Sequence, residues 1–138
     1  MKQTKRTVLF SALAAAGFSL LLCVGALTFL GPCIHEDGTP AVCGEAGTLS
    51  AILGGCSAAA ALLSAALRGR GRSAACLLLL AAGCGIAAFF APGGIKPLCM
   101  MDTMRCRAVT APAVKILSGC ILVSALPGIF SGVREGRK

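Results

Sequence analysis

Four uninterrupted apolar runs, each close to the length needed to cross a bilayer, constrain this chain more than any other feature. They cover about residues 7–31, 47–67, 73–92 and 109–133. About 20 residues at 1.5 Å rise each span the hydrocarbon of a membrane, so each run reads as a transmembrane helix. Backbone N–H and C=O groups in lipid must bond within the segment, which leaves the helix as the conformation for each run. Composition agrees: 57% of the 138 residues are apolar and 13% are charged, against roughly 25% charged in soluble domains. A chain this small cannot bury so much apolar surface against itself. The expected fold class is therefore all-α: one integral membrane domain, residues 1–138, forming a four-helix bundle of two tandem helical hairpins.

The first run follows a basic segment, Lys2 to Arg6, and invites comparison with a signal peptide. Signal h-regions span about 7–15 residues, and this run is longer. Leu22 also stands where lipobox cleavage before Cys23 would need a small residue. The first run is read as an uncleaved helix.

The basic residues orient the chain. Lys2, Lys5, Arg6, Arg68, Arg70, Arg72, Arg134, Arg137 and Lys138 fall on one side of a four-span topology, and Lys96, Arg105 and Arg107 on the other. Nine against three places both termini inside, in the bacterial plasma membrane. Outer loops then cover residues 32–46 and 93–108. The net charge of +8 does not point to nucleic acid, because the basic clusters flank apolar spans and carry no stacking aromatics among them. Lys115 alone lies within a span. It either snorkels to the headgroups or faces the bundle interior, where it could bind a substrate or partner.

The two halves look alike. Phe29-Leu-Gly-Pro32 and Phe89-Phe-Ala-Pro92 end runs one and three, and Gly25 and Gly85 precede those prolines equally. Ile52-Leu-Gly-Gly-Cys56 and Ile116-Leu-Ser-Gly-Cys120 match in runs two and four. A hairpin used twice is expected, as in parallel repeats of membrane proteins. Small residues recur every four positions as Ser50/Gly54/Ala58, Gly83/Ala87/Ala91 and Cys120/Ser124/Gly128/Gly132. Such stripes are the expected close-packing faces, toward one another or toward another membrane protein.

Cys23, Cys56, Cys76, Cys84 and Cys120 lie in apolar runs and read as small packing residues. Cys33, Cys43, Cys99 and Cys106 lie in the outer loops, where disulfides persist. Their placement favours Cys33–Cys43 and Cys99–Cys106, though a cross-loop pairing would staple the hairpins instead. Two other readings stand beside structural disulfides. Redox exchange is disfavoured by intervals of ten and seven positions in place of Cys-x-x-Cys. Copper binding would use the soft ligands Met100, Met101 and Met104 with the loop cysteines and His35. Arg105, Arg107 and Lys115 form a candidate basic binding patch. No phosphate-binding Gly-Lys-Ser/Thr loop or His-Glu-x-x-His occurs, and one histidine and five acids leave little for acid–base work. A non-enzymatic protein without a resident cofactor is expected.

Cys33, Glu36-Asp37-Gly38 and Cys43 in loop one, with Cys99, Met104, Cys106-Arg107 and Pro112 around loop two, carry a family resemblance. The chain resembles small bacterial and archaeal four-helix membrane proteins grouped as a domain of unknown function, DUF4418, over nearly its whole length. Gly44 and Glu45 stand where members often have His and an aromatic residue, which weakens the metal reading. The resemblance implies the architecture and an association with ATP-driven permease systems. It supplies no activity. The expected role is an accessory or interaction subunit, with the alternative of a carrier or sensor for a soft metal or thiol redox signal. Lipid and a second membrane protein or transporter subunit are the expected partners.

Overall fold

The computed structural model describes residues 2–28, 38, 43–67, 69–96, 98 and 105–137. Four long helices carry the fold: α1 (Lys2–Leu27), α2 (Cys43–Ala66), α3 (Gly71–Phe90) and α4 (Ala111–Gly136), the last preceded by a π-helical turn over Cys106–Thr110. All four are long and apolar enough to cross a membrane. The shortest, α3, has 20 residues, or about 30 Å, which matches the hydrocarbon thickness. The helices run up and down in chain order and close into a ring, each packed on its two neighbours, with α4 returning to α1. The chain is a multi-pass membrane protein built as a four-helix bundle. α1 begins at Lys2 rather than at residue 7, so its basic residues continue the helix past the apolar run.

The packing is inverted relative to a soluble bundle. Phe10, Val123 and Phe130 are 69%, 70% and 67% exposed, while the interior is mostly alanine and serine. Lipid solvates large apolar side chains as well as a protein core does, so burying them gains little. Close backbone approach gains more.

The buried positions follow one rule on all four helices. On α1 they include Val8, Ala12, Ala15, Ser19, Leu22 and Ala26, and on α2 Ser50, Gly54, Ser57, Ala61 and Ser64. On α3 they include Ala74, Leu78, Ala81, Gly85 and Ala88, and on α4 Val114, Ser118, Ile121, Ala125, Gly128 and Gly132. Steps of four and three alternate throughout, the 3.5-residue period of a left-handed coiled-coil seam. This corrects the expected four-residue stripes. A strict step of four turns about 40° per step on a 3.6-residue helix, so it drifts off a packing face. Gly83 is exposed, and an added Cβ there would meet nothing within 4 Å. Cys120 and Ser124 are half-buried, and that stripe joins the seam only at Gly128 and Gly132. Ser50, Gly54 and Ala58 are all buried, as expected.

The core has three layers along the bundle axis. Val8, Ala12, Ala74 and Leu78 fill one end, and Leu22, Ala88, Val114 and Ile121 fill the other. Between them is a waist whose apolar residues are all alanine: Ala15, Ala16, Ala60, Ala61 and Ala81. Helices come closest where glycine removes a side chain. A Cβ on Gly54 would stand 3.0 Å from the Cys23 amide nitrogen and 3.1 Å from the Ser19 carbonyl oxygen, so α2 meets the backbone of α1 there.

Serine hydroxyls tie the helices together. Ser57 donates to the Ala81 carbonyl at 3.2 Å and lies 2.9 Å from the Ser19 hydroxyl. Because Ser57 has one proton, Ser19 must be the donor to it. That chain links α1, α2 and α3. A second node links α1 to α4. Pro127 lies inside α4; it has no N–H for the Val123 carbonyl, and its ring opens the helix there. Ser11 enters the opening, donating to the Ser124 carbonyl and accepting from the Gly128 amide at 3.2 Å. Those two backbone groups are an i, i+4 pair, so the hydroxyl sits between partners the helix would otherwise join directly. A Cβ on Gly128 would lie 2.5 Å from Ser11 Oγ, so glycine is needed at that position.

Ser11→Ala should therefore lower bundle stability by about 1–2 kcal/mol, since it leaves two backbone groups less well satisfied. Gly128→Ala should destabilise through the same notch. Unfolding of the purified chain in detergent would show the double variant losing less than the sum of the singles. Full additivity would mean that Ser11 and Gly128 do not act as one node.

Candidate functional site

Among the described residues, the charged side chains lie toward the two ends of the bundle. The buried polar side chains among the described residues are all serines: Ser11, Ser19, Ser50, Ser57, Ser64 and Ser118. Lys5, Arg6, Arg70, Arg72, Arg134 and Arg137 share the end where α1 begins, α4 ends and α2 turns into α3. Gly71 packs there against Glu135 and Gly132, and Gln3 and Thr4 line a groove with Arg134. The opposite end carries the two long loops, and the candidate site lies there.

Two local devices shape it. After α3, the Gly94 and Ile95 amides return to the Phe90 carbonyl and the Lys96 amide to the Ala91 carbonyl. Gly93 adopts φ +87, a left-handed conformation that glycine takes without cost. This tight reversal carries Lys96 to the first turn of α2, where its Nζ meets Glu45 Oε2 at 2.7 Å. The pair is well exposed, so it aligns the segments more than it stabilises them. The second device opens α4. Pro112 cannot donate to the Ala108 carbonyl, and the chain widens into a π-turn in which the Ala111 amide bonds to Cys106. The wider turn buries Cys106 and leaves Arg105 and Arg107 exposed.

Between these devices is a groove of about 590 Å³, with Phe89, Pro92, Arg107, Pro112 and Lys115 in its walls. Lys115 Nζ stands 5.8 Å from the centroid of the Phe89 ring. A cation over an aromatic face is attracted by about 0.5–1 kcal/mol at an exposed site. The side chain of Lys115 is exposed, which settles its placement: it lies beside the seam residue Val114, on the bundle surface and not in its interior. The structure thus brings Arg107 and Lys115 to one groove, while Arg105 stands outside it. Two cations beside an aromatic wall can hold an anion with an apolar portion. They offer neither a nucleophile nor an acid–base pair.

Other expected site residues lie outside the described residues: Cys33, His35, Cys99, Met100, Met101 and Met104, together with the side chain of Cys43. No two described cysteines are bonded to each other. Among the described residues, no group of three or more His, Cys, Asp or Glu could hold a metal ion. The five cysteines of the spans are not core residues. Cys56 and Cys76 are exposed and Cys23, Cys84 and Cys120 half-buried, because none occupies a seam position. Sequence reasoning missed the aromatic wall. The Glu45–Lys96 pair was legible as opposite charges on the two outer loops, which would hold the loops together.

No curated protein and no solved structure matches the chain. A family model described as "Domain of unknown function (DUF4418)" matches residues 15–131, from the middle of α1 almost to the end of α4. That match takes in most of the seam, both devices and the groove, and the chain belongs to this family of unknown function.

Proposed function

We propose that the protein is a non-enzymatic accessory or interaction subunit of the bacterial plasma membrane, serving an ATP-driven permease system and engaging its partner through the long-loop end. The observation that carries this reading is the interior. Among the described residues no titratable side chain is buried in the seam, and its polar groups are serines, most of them bonded to backbone or to each other. Ion and proton pathways through membranes place ionisable groups in the bundle interior. Without them, the helices serve as a scaffold and the exposed end carries recognition. Arg105, Arg107, Lys96 and Lys115 make that end a basic surface suited to an acidic partner.

In this reading both termini face the cytoplasm, because six described basic side chains share their end. The two hairpins act as one repeated unit, and each loop is closed by its own bond, Cys33–Cys43 and Cys99–Cys106. Non-reducing peptide mapping of the protein from intact cells should recover both bonds. Four reduced loop thiols would place the loops on the reducing side and overturn the orientation.

The functional test separates two sets of side chains. Arg105 and Arg107 are replaced with Gln, and separately Met100, Met101 and Met104 with Leu. Both variants should insert at wild-type levels. The Arg variant should lose the higher-mass complex of the native host membrane on blue-native gels, and the Met variant should keep it. If both keep it, the long-loop end is only a closure and the proposal fails. If the Met variant alone is defective and copper binding is lost with it, the soft-metal alternative replaces it.

A further inference from the structure

The basic end contains a groove that nothing above accounts for. The first turns of α1 and the last turns of α4 diverge around a space of about 940 Å³. Its walls include Gln3, Thr4, Phe130, Arg134, Glu135 and Arg137. The lower part is uncharged, lined by Pro127 and Phe130 with the hydroxyl residues Thr7 and Ser131, and it lies beside Phe130, which is 67% exposed on the bilayer-facing surface. The upper part carries two guanidinium groups and one carboxylate. The groove is therefore graded from uncharged to charged along the bundle axis, as a phospholipid is.

Glu135 narrows the choice of lipid. It is the one acid among the described residues at an end with six described cations. Among the described residues it nevertheless makes no ion pair or hydrogen bond, and its Oε2 is buried without a donor. Its stem is fixed by packing, because Gly71 approaches so closely that a Cβ there would lie 3.1 Å from Glu135 Cβ. Oε2 is enclosed by the protein, but Glu135 also lines the groove, where its unpaired carboxylate would accept from a bound cation with N–H groups.

We propose that this groove binds a phospholipid whose headgroup bears a primary ammonium, a phosphatidylethanolamine, from the leaflet on the basic side. Arg134 and Arg137 hold the phosphate, for which the guanidinium fork is well matched. The ammonium, two carbons away in such a headgroup, donates to Glu135. The acyl chains run down past Phe130 and Pro127. Phosphatidylglycerol would satisfy the arginines and leave Glu135 without a donor. Phosphatidylcholine carries a cation with no N–H to give. A surface acting by positive charge alone would prefer the anionic lipid, so the two accounts predict opposite orders.

Native mass spectrometry of the full chain released from detergent would test this, with ethanolamine, choline and glycerol phospholipids of identical acyl chains at equal concentration. The wild type should retain the ethanolamine lipid over the other two by roughly tenfold or more, the scale of one charge-assisted hydrogen bond. Glu135→Gln should remove that preference while binding persists, and Arg134→Gln with Arg137→Gln should weaken all three. Stronger retention of phosphatidylglycerol by the wild type, or an unchanged preference in Glu135→Gln, would overturn the proposal. If a variant fails to fold, the wild type alone decides: along a stepwise N-methylation series of the ethanolamine lipid, retention should fall when the third methyl removes the last N–H, and constant retention through that step would refute the role of Glu135. Displacement by chain-free glycerophosphoethanolamine at equal concentration would mean a soluble-headgroup site and would also overturn the lipid assignment.

Discussion

The constraint on which this structure depends is that lipid offers helices no gain for hiding large apolar side chains. Stability must come from how closely backbones approach and from polar groups that find partners between helices. The chain meets both conditions with small residues. Alanine, serine and glycine occupy most seam positions, and a waist whose apolar residues are all alanine narrows the middle of the bundle. Most leucine, isoleucine and phenylalanine side chains are turned outward, with Leu22, Leu78 and Ile121 the fully buried exceptions. The heptad spacing keeps the small surface of each helix facing its neighbours along the full span.

Within that seam, serine does what larger polar groups would do at greater cost. Ser19 and Ser57 join three helices at the waist, and Ser11 joins the fourth at the opening made by Pro127. The proline and the serine depend on each other. Without Pro127, α4 has no room in its ladder for the hydroxyl. Without Ser11, the Gly128 amide and Ser124 carbonyl lose a partner from α1. Ser118 is the exception, buried with an unpartnered hydroxyl beside the close approach of Gly85, and the structure gives no physical account of it.

The fold was legible in the sequence where length and charge decide it. Four runs gave four helices, and the basic clusters share one end of the bundle. The packing period was not legible, for a definite reason. Periodicity is normally read from polarity, but here both faces of each helix are apolar and the contrast is in size. Gly83 and Cys120 looked like packing residues because small residues are common in this chain, yet both lie off the seam. Reading size at a 3.5-residue period would have found the face through Ala74, Leu78, Ala81, Gly85 and Ala88. The candidate site was legible in part. The basic residues near loop two could be picked out, and Arg107 and Lys115 do meet. Their shared groove depends on the reversal after Phe90 and the π-turn before Pro112, which are backbone features that composition does not reveal. Glu135 gave no signal, since an acid among basic residues reads as an ordinary surface pair.

The central claim is the inverted arrangement, with small residues inside and large ones against lipid. The chain has no tryptophan, so single tryptophans can report it directly. Tryptophan placed at Phe10, Val123 or Phe130 should fold normally in bilayers and be strongly quenched by lipids brominated on their acyl chains. Tryptophan at Ala12, Ala61 or Ala81, each 0% exposed, should prevent folding by overfilling the seam. Equal tolerance and equal quenching at the two sets of positions would contradict the account.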